Sequence, residues 1–256
     1  MEIKEYYYDS IENRTSRRTY DGTEIYEEII EEINMFIEKV NKKSNLNIRL
    51  IRNADKILKG FKASYGMITG ANTIIALVGN SKDKDLEEKI GYYGEFINLE
   101  VVSKNLGTCW VSGTYNKERC IKELNLSNEE KLVCILVIGN VKRTKSLKEK
   151  IIGRRGAKKK SFEELLLECD VTVPEWIGKG IEYAILAPSA MNVNPVGYSY
   201  RKGELSCFVA NRKTNMEEVD IGISMAHFRI GAHKEGVDGF WERKRDKYIF
   251  SINKKN

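Results

Sequence analysis

The sequence predicts an α+β chain made of two similar halves, and three observations carry that prediction. Amphipathic helical patterns alternate with short apolar runs rich in β-branched residues. The order helix, strand, strand, long helix, glycine-rich turn, tryptophan, strand occurs twice along the 256 residues. The stretch from Ile90-Gly91 to Trp110 also lies over the stretch from Ile221-Gly222 to Trp241 without a gap. The halves are expected at 1–150 and 151–256. Similar halves packed about a pseudo-two-fold axis leave ligand clefts at their junction.

In the first half, Ile25, Ile29, Ile30, Ile33, Phe36, Ile37 and Val40 keep the i, i+3, i+4 spacing of a buried helical face over 24–40. Residues 45–51 alternate polar and apolar, as a half-buried strand does. Residues 73–79 read as a strand buried on both faces. A long helix is expected over 84–104, although Gly91 and Gly94 each cost it about 1 kcal/mol relative to alanine. That cost is sensible where another helix or a ligand packs closely. A glycine-rich turn at 105–113, a short helix at 117–124 and a buried strand at 132–139 complete this half.

Residues 142–160 are basic and read as a linker. Ser161 then caps a helix over 162–168, with Glu163 and Glu164 in its first turn. A helix over 174–186 must stop before Pro188, because proline disfavours a helical residue ahead of it. Residues 196–201 and 205–210 form a hairpin across Lys202-Gly203. A helix over 216–234 ends at Gly236, and strands at 240–245 and 248–252 close the chain.

Composition excludes several classes. The hydrophobic share of 41% and charged share of 31% describe a soluble globular chain. The longest apolar runs are too short to span a bilayer. Met1 to Glu5 is charged and lacks the apolar core of a secretory signal, so the expected location is cytoplasmic. Five cysteines with no C-x-x-C support neither a disulfide framework nor a zinc site. His227 and His233, six apart on a helix, do not form a ligand pair. The net charge of +6 suits an anionic ligand or a solvated basic face. The basic run 154–160 lacks interleaved aromatics, so nucleic-acid binding is a weak alternative. No G-x-G-x-x-G, G-x-x-x-x-G-K-[ST] or G-x-S-x-G occurs.

Three stretches carry the candidate chemistry. Arg14, Ser16 and Arg18 set two guanidinium groups and a hydroxyl at every second position, donors that suit a phosphate monoester. Leu106-Gly107-Thr108-Cys109-Trp110-Val111-Ser112-Gly113 offers unobstructed backbone amides beside an aromatic. Ala187-Pro188-Ser189-Ala190-Met191-Asn192-Val193-Asn194-Pro195 places small residues and amides between two of the three prolines, leaving room for a flat group.

Together these stretches resemble the FMN-dependent nitroreductase family, through its R-x-S-x-R-x-[FY], L-G-T-C-W-x-x-G and A-P-S-x-x-N-x-Q-P segments. Asn194 stands where the family has glutamine, and Ala190 where serine is frequent. The A-P-S segment falls in the second half of the chain and the G-T-C-W turn in the first. That order is similar to the subfamily in which one chain carries both halves of a dimer.

The resemblance implies a nitroreductase-like fold, mainly antiparallel sheets flanked by helices, with the halves fused as a pseudo-dimer. It implies one FMN per chain at the junction. Arg14 and Ser16 would hold the phosphate, and Arg18 the pyrimidine edge of the ring. The first half would also supply the Trp110 turn, whose Ser112-Gly113 backbone would face N5. Pro188, Ser189, Ala190 and Asn192 would cover the ring, and Arg154, Arg155 or Lys160 would complete the phosphate site.

The implied activity is hydride transfer from NAD(P)H through the flavin to a nitroaromatic, quinone or other oxidised acceptor, by a monomer or weak homodimer. No protein acid or base and no metal is assigned. The alternatives are an unusual reductase reaction such as dehalogenation or flavin destruction, and a flavin-binding or storage protein without turnover.

Overall fold

Two sheets with the same internal strand order organise the chain. The computed structural model describes residues 1–58, 68–142, 144 and 159–253. These residues form helices α1 (Tyr6–Asn13), α2 (Glu27–Ser44), α3 (Asp55–Leu58), α4 (Leu86–Ser103), α5 (Lys117–Leu124), α6 (Phe162–Leu165), α7 (Glu175–Ile185) and α8 (Glu217–Lys234). The strands are β1 (Arg49–Ile51), β2 (Thr73–Asn80), β3 (Gly107–Val111), β4 (Glu130–Gly139), β5 (Leu166–Cys169), β6 (Val196–Arg201), β7 (Glu204–Val209), β8 (Gly239–Lys244) and β9 (Lys247–Ile252).

The first sheet runs β1-β2-β4-β3 and the second β5-β6-β7-β9-β8. Setting aside β5, the second order repeats the first. In each sheet a helix precedes the first strand, and a long helix joins the second strand to the third. The expected α+β class, mainly antiparallel, is what the chain adopts. Among the described residues β5 with β6 is the one parallel pairing between strands.

The chain divides into two units. One holds Met1, Asn13–Leu86 and Phe96–Arg155, the other Glu2–Glu12, Glu87–Glu95 and Gly156–Asn256. The boundary expected at 150/151 falls outside the described residues. In the first unit β2 is buried from Thr73 to Gly79, as its unbroken apolar run requires. Ile74, Ala76 and Val78 pack with Cys109, Val111, Ile135 and Val137. Helix α2 buries Ile30, Ile33, Phe36, Ile37 and Val40, the face its spacing marked.

In the second unit the core is aromatic. The Phe228 ring stacks on Tyr198 at 5.4 Å and meets Trp241 and Phe250 edge-on, each at 5.4 Å. The Tyr198 hydroxyl is satisfied by Ser224 at 2.8 Å. Helix α8 is buried at Glu217 and from Val219 to Ala232, with only Glu218 between them half-buried. A helix buried all round must satisfy the polar groups it carries inside. His227 Nδ1 lies 3.1 Å from the Tyr183 carbonyl and Nε2 lies 2.9 Å from Glu95 Oε1. The carbonyl accepts only, so Nδ1 is the donor in that pair. Arg229 makes a two-pronged pair with Asp238 at 2.8 and 3.0 Å and donates to the Tyr92 hydroxyl at 3.1 Å. His233 meets the Tyr8 hydroxyl at 2.8 Å.

The two glycines matched by the internal offset, Gly91 and Gly222, face each other's helices. A Cβ on Gly91 would stand 2.0 Å from the Val219 carbonyl oxygen, and one on Gly222 would stand 2.1 Å from that of Glu88. Glu88 and Val219 are themselves matched by the same offset of 131, so each helix presents the same positions to the other.

Several elements differ from expectation. Helix α1 had no reading, because Tyr7, Ser10 and Ile11 are its buried residues, too few to show a period. The strand expected over 45–51 starts at Arg49. Gly107–Val111 is not a turn but a strand paired with β4. The helix expected over 162–168 ends at Leu165, although Ser161 caps it as read, in a capping box with Glu164. Leu166–Cys169 turns into a strand instead, because it pairs with Tyr198–Tyr200. Most of the expected linker 142–160 lies outside the described residues. No helix among the described residues is long and apolar enough to cross a membrane.

The helix crossing makes a direct prediction. Gly222→Ala forces a methyl group onto backbone and should destabilise the protein by about 1–3 kcal/mol in urea unfolding. Gly178→Ala on α7, where a Cβ meets nothing within 4 Å, should instead be stabilising by about 0.5–1 kcal/mol.

Candidate functional site

The N-terminal basic segment and the G-T-C-W segment meet in the first unit. Ser16 bridges Thr108 in parallel fashion, and the Arg17 N–H donates to the Thr108 carbonyl at 2.8 Å. The segment therefore extends the sheet past its edge strand β3 and covers otherwise open backbone groups. It lies close because Gly107 has no side chain. A Cβ there would stand 2.3 Å from Val141 Cγ1 and 3.1 Å from Arg17 Cβ.

Further along, Thr69 N–H donates to the Arg18 carbonyl at 2.9 Å and Tyr20 N–H to the Thr69 carbonyl at 2.8 Å. The buried Tyr20 hydroxyl sits 3.0 Å from the Arg17 carbonyl and 3.1 Å from that of Val137. The backbone of 16–20 is thus pinned on both sides. Arg14, Ser16 and Arg18 are half-buried. Arg17, the residue between them, donates to the Lys142 carbonyl at 2.9 Å.

On β3, Cys109 and Val111 join the core. Strand alternation puts Thr108 and Trp110 on the opposite face. Trp110 is half-buried, and Ser112 and Gly113 beyond it are exposed. Nothing lies within 4 Å of a Cβ built on Gly113, so a planar group can approach that backbone. The matched Trp241 differs. It packs in the aromatic core and donates its indole N–H to the Met225 carbonyl at 3.1 Å.

The A-P-S turn belongs to the second unit. Helix α7 ends at Ile185 as Pro188 requires, and a 3-10 turn covers Ala190–Asn192. Met191, Asn192 and Asn194 take positive φ of 53°, 56° and 38°. Residues with side chains held there cost of order 1–3 kcal/mol each unless the surroundings enforce the geometry, and such positions cluster at functional sites. Three contacts enforce it. Ser189 Oγ accepts the Asn194 N–H at 2.8 Å. The Asn192 N–H donates to the Ser189 carbonyl at 3.0 Å. The Asp220 carboxylate accepts the Ala190 N–H with its two oxygens at 3.0 and 3.2 Å. Pro188 is buried, Ser189 and Ala190 are half-buried, and Asn192 is exposed.

Of the three basic residues considered for the phosphate, Lys160 donates to the Val196 carbonyl at 3.1 Å. Burial lowers its pKa, while Glu164 works the other way. Arg154 and Arg155 lie outside the described residues.

A family model described as "Putative TM nitroreductase" matches residues 7–232. The chain belongs to this nitroreductase family. A Thermotoga maritima crystal structure described in the same terms is similar at 22% identity and a TM-score of 0.65, over 99% of this chain and 96% of that one. An FMN-dependent nitroreductase of Clostridium difficile matches at 14% identity and a TM-score of 0.44, over 59% of this chain and 98% of its own. A nitroreductase of Desulfitobacterium hafniense with bound FMN matches at 15% and 0.44, over 56% and 93%. No curated protein matches the sequence.

In this nitroreductase, sequence reasoning missed Asp220. An acid in the first turn of a helix ordinarily reads as a partner of the helix dipole, which is how Glu217, Glu218 and Asp220 look together. Glu217 behaves nearly so. Burial opposes its charge, but the N–H groups of Thr214, Glu217 itself and Lys213 hold its pKa down to about 2. Asp220 is the opposite case. Burial raises its pKa to about 7, with the Ala190 N–H lowering it and the Glu217 charge raising it.

The consequence for stability has a definite sign. Below pH 3.8, the ordinary value, folded and unfolded chains both hold the Asp220 proton. As pH rises toward about 7 the unfolded chain releases it first, so this residue lowers stability progressively, and the loss is complete above that range. Asp220→Asn should therefore gain in urea midpoint over the parent chain, with the gap widening from pH 4 to pH 8. A gap that does not change with pH would mean that Asp220 titrates normally.

Proposed function

We propose that the protein is a flavin oxidoreductase that holds one FMN per chain and uses NAD(P)H to reduce a nitroaromatic, quinone or similar acceptor. Family membership supports redox chemistry in general. The single observation that carries the cofactor reading is the bridge between Ser16 and Thr108. It sets the Arg14–Arg18 donors beside the strand that leads to the open Ser112-Gly113 backbone, so donors for an anionic tail and for a ring edge share one sheet edge.

In this reading Arg14 and Ser16 bind the phosphate as charged and neutral donors. Arg18 places positive charge at the pyrimidine edge, where reduction builds negative charge. The Ser112-Gly113 backbone and Trp110 border the reacting side of the ring, and Gly113 leaves it room. Pro188, Ser189, Ala190 and Asn192 form the cover supplied by the second half. Two halves in one chain then do the work of two subunits, which makes the protein a pseudo-dimer. Arg154, Arg155 or Lys160 completes the phosphate contacts. A cytoplasmic home is part of this reading. When bound, FMN supplies the two-electron chemistry at N5, and the protein contributes position and field.

The test is direct. Purified protein should be yellow, and anaerobic NADH or NADPH should bleach the flavin band. A flavin that stays oxidised with both donors would make the protein a flavin carrier without turnover. Arg14→Ala should weaken FMN binding by about 1.5–3 kcal/mol, the scale of a charge-assisted hydrogen bond, as read by quenching of flavin fluorescence. Unchanged affinity would remove Arg14 from the site.

A further inference from the structure

The turn at 189–194 is held in an unfavourable backbone geometry by a residue that no flavin contact explains. Asp220 is 4% exposed and spends both carboxylate oxygens on one N–H, that of Ala190. Two residues further on, Asn192 sits at φ 56° with its side chain in solvent. Burying a carboxylate on a helix surrounded by apolar residues is costly, and a single backbone N–H is a small return for the fold. The offset that matches Gly91 with Gly222 puts Lys89 where Asp220 stands.

We propose that Asp220 is a positioning residue for the flavin ring: by gripping Ala190 it locks the Ser189–Asn194 turn in the left-handed geometry that presents Asn192 to the cofactor. This rests on the FMN reading given above. The grip is strongest when the carboxylate is charged, because hydrogen bonds to an ionised acceptor are roughly twice as strong as neutral ones. With a pKa of about 7, Asp220 changes charge in the neutral range.

Few charged groups stand on the elements around it. Glu217 on its own helix opposes the charge, and the turn itself, 189–194, supplies no charged side chain. Helix α4, which packs against the neighbouring Val219 and Gly222, carries Glu88 and Lys89 of opposite sign. FMN affinity should therefore rise with pH through the neutral range.

Three proteins test this: the parent chain, Asp220→Ala and Asp220→Asn, each checked for folding by circular dichroism and titrated with FMN from pH 6 to pH 8. Asparagine keeps an acceptor for Ala190 but cannot ionise. Asp220→Ala should bind FMN about tenfold more weakly at pH 8. Asp220→Asn should recover most of that affinity. Relative to Asp220→Asn, which cancels the titration of the FMN phosphate, the parent should bind roughly threefold to tenfold tighter at pH 8 than at pH 6. Independently of FMN, the Ala190 amide proton should shift with a midpoint near pH 7 in the parent and not in Asp220→Asn.

If the parent binds FMN but all three proteins share one affinity and one pH profile, Asp220 is merely structural and the inference fails while the FMN reading stands. If the parent binds no FMN at any pH, both fail. An Asp220→Ala protein that does not fold leaves the Asp220→Asn comparison and the amide titration to decide.

Discussion

Two helices can approach until their backbones touch only where both give up their side chains, and α4 and α8 do so at Gly91 and Gly222. Each glycine costs its helix about 1 kcal/mol relative to alanine. What offsets the cost is the burial that close approach allows, since α8 is covered from Val219 to Ala232. The contact is reciprocal. Gly91 meets Val219 and Gly222 meets Glu88, which are the same positions under the offset of 131. A self-complementary contact of this kind is what a two-fold dimer uses between identical subunits, here written within one polypeptide.

A helix buried on all sides fixes its polar residues rigidly, because each must find its partner inside. On α8 that requirement yields the His227–Glu95 pair, the fork of Arg229 on Asp238, and the grip of Asp220 on Ala190. The first two join α8 to Glu95 of α4 and to Asp238 directly ahead of β8. The third reaches a turn whose backbone would relax if released. The rigidity of the crossing thus passes to the segment that the resemblance assigned to the ring.

How much of this was legible follows from the kind of signal each element gives. Helix α5, the Lys202-Gly203 hairpin and the Ser161 cap rest on local chemistry, and local chemistry decided them. Lys202 and Gly203 take φ of 51° and 77°, as a two-residue hairpin requires. β5 was misread because Leu165-Leu166-Leu167 favours a helix and only its pairing with β6 says otherwise. β3 was misread as a turn because Gly107 and Gly113 bracket it. The nearness of Ser16 and Thr108 was invisible to spacing, since 92 residues separate them. Asp220 was hidden because its role depends on what lies beyond the end of its helix.

The repeat matters most where it breaks. Trp110 and Trp241 are matched by the offset of 131, yet Trp241 packs in an aromatic core while Trp110 lies across from Leu136, on the face of β3 opposite Cys109 and Val111. Lys89 stands in the first half where Asp220 grips the turn in the second. The first has the basic strap and the open Ser112-Gly113 backbone, and the second has the strained turn with its carboxylate. A symmetric dimer must build every site twice. One chain with two matched stretches is under no such constraint, and Trp110 against Trp241 and Lys89 against Asp220 are matched positions at which the two stretches differ.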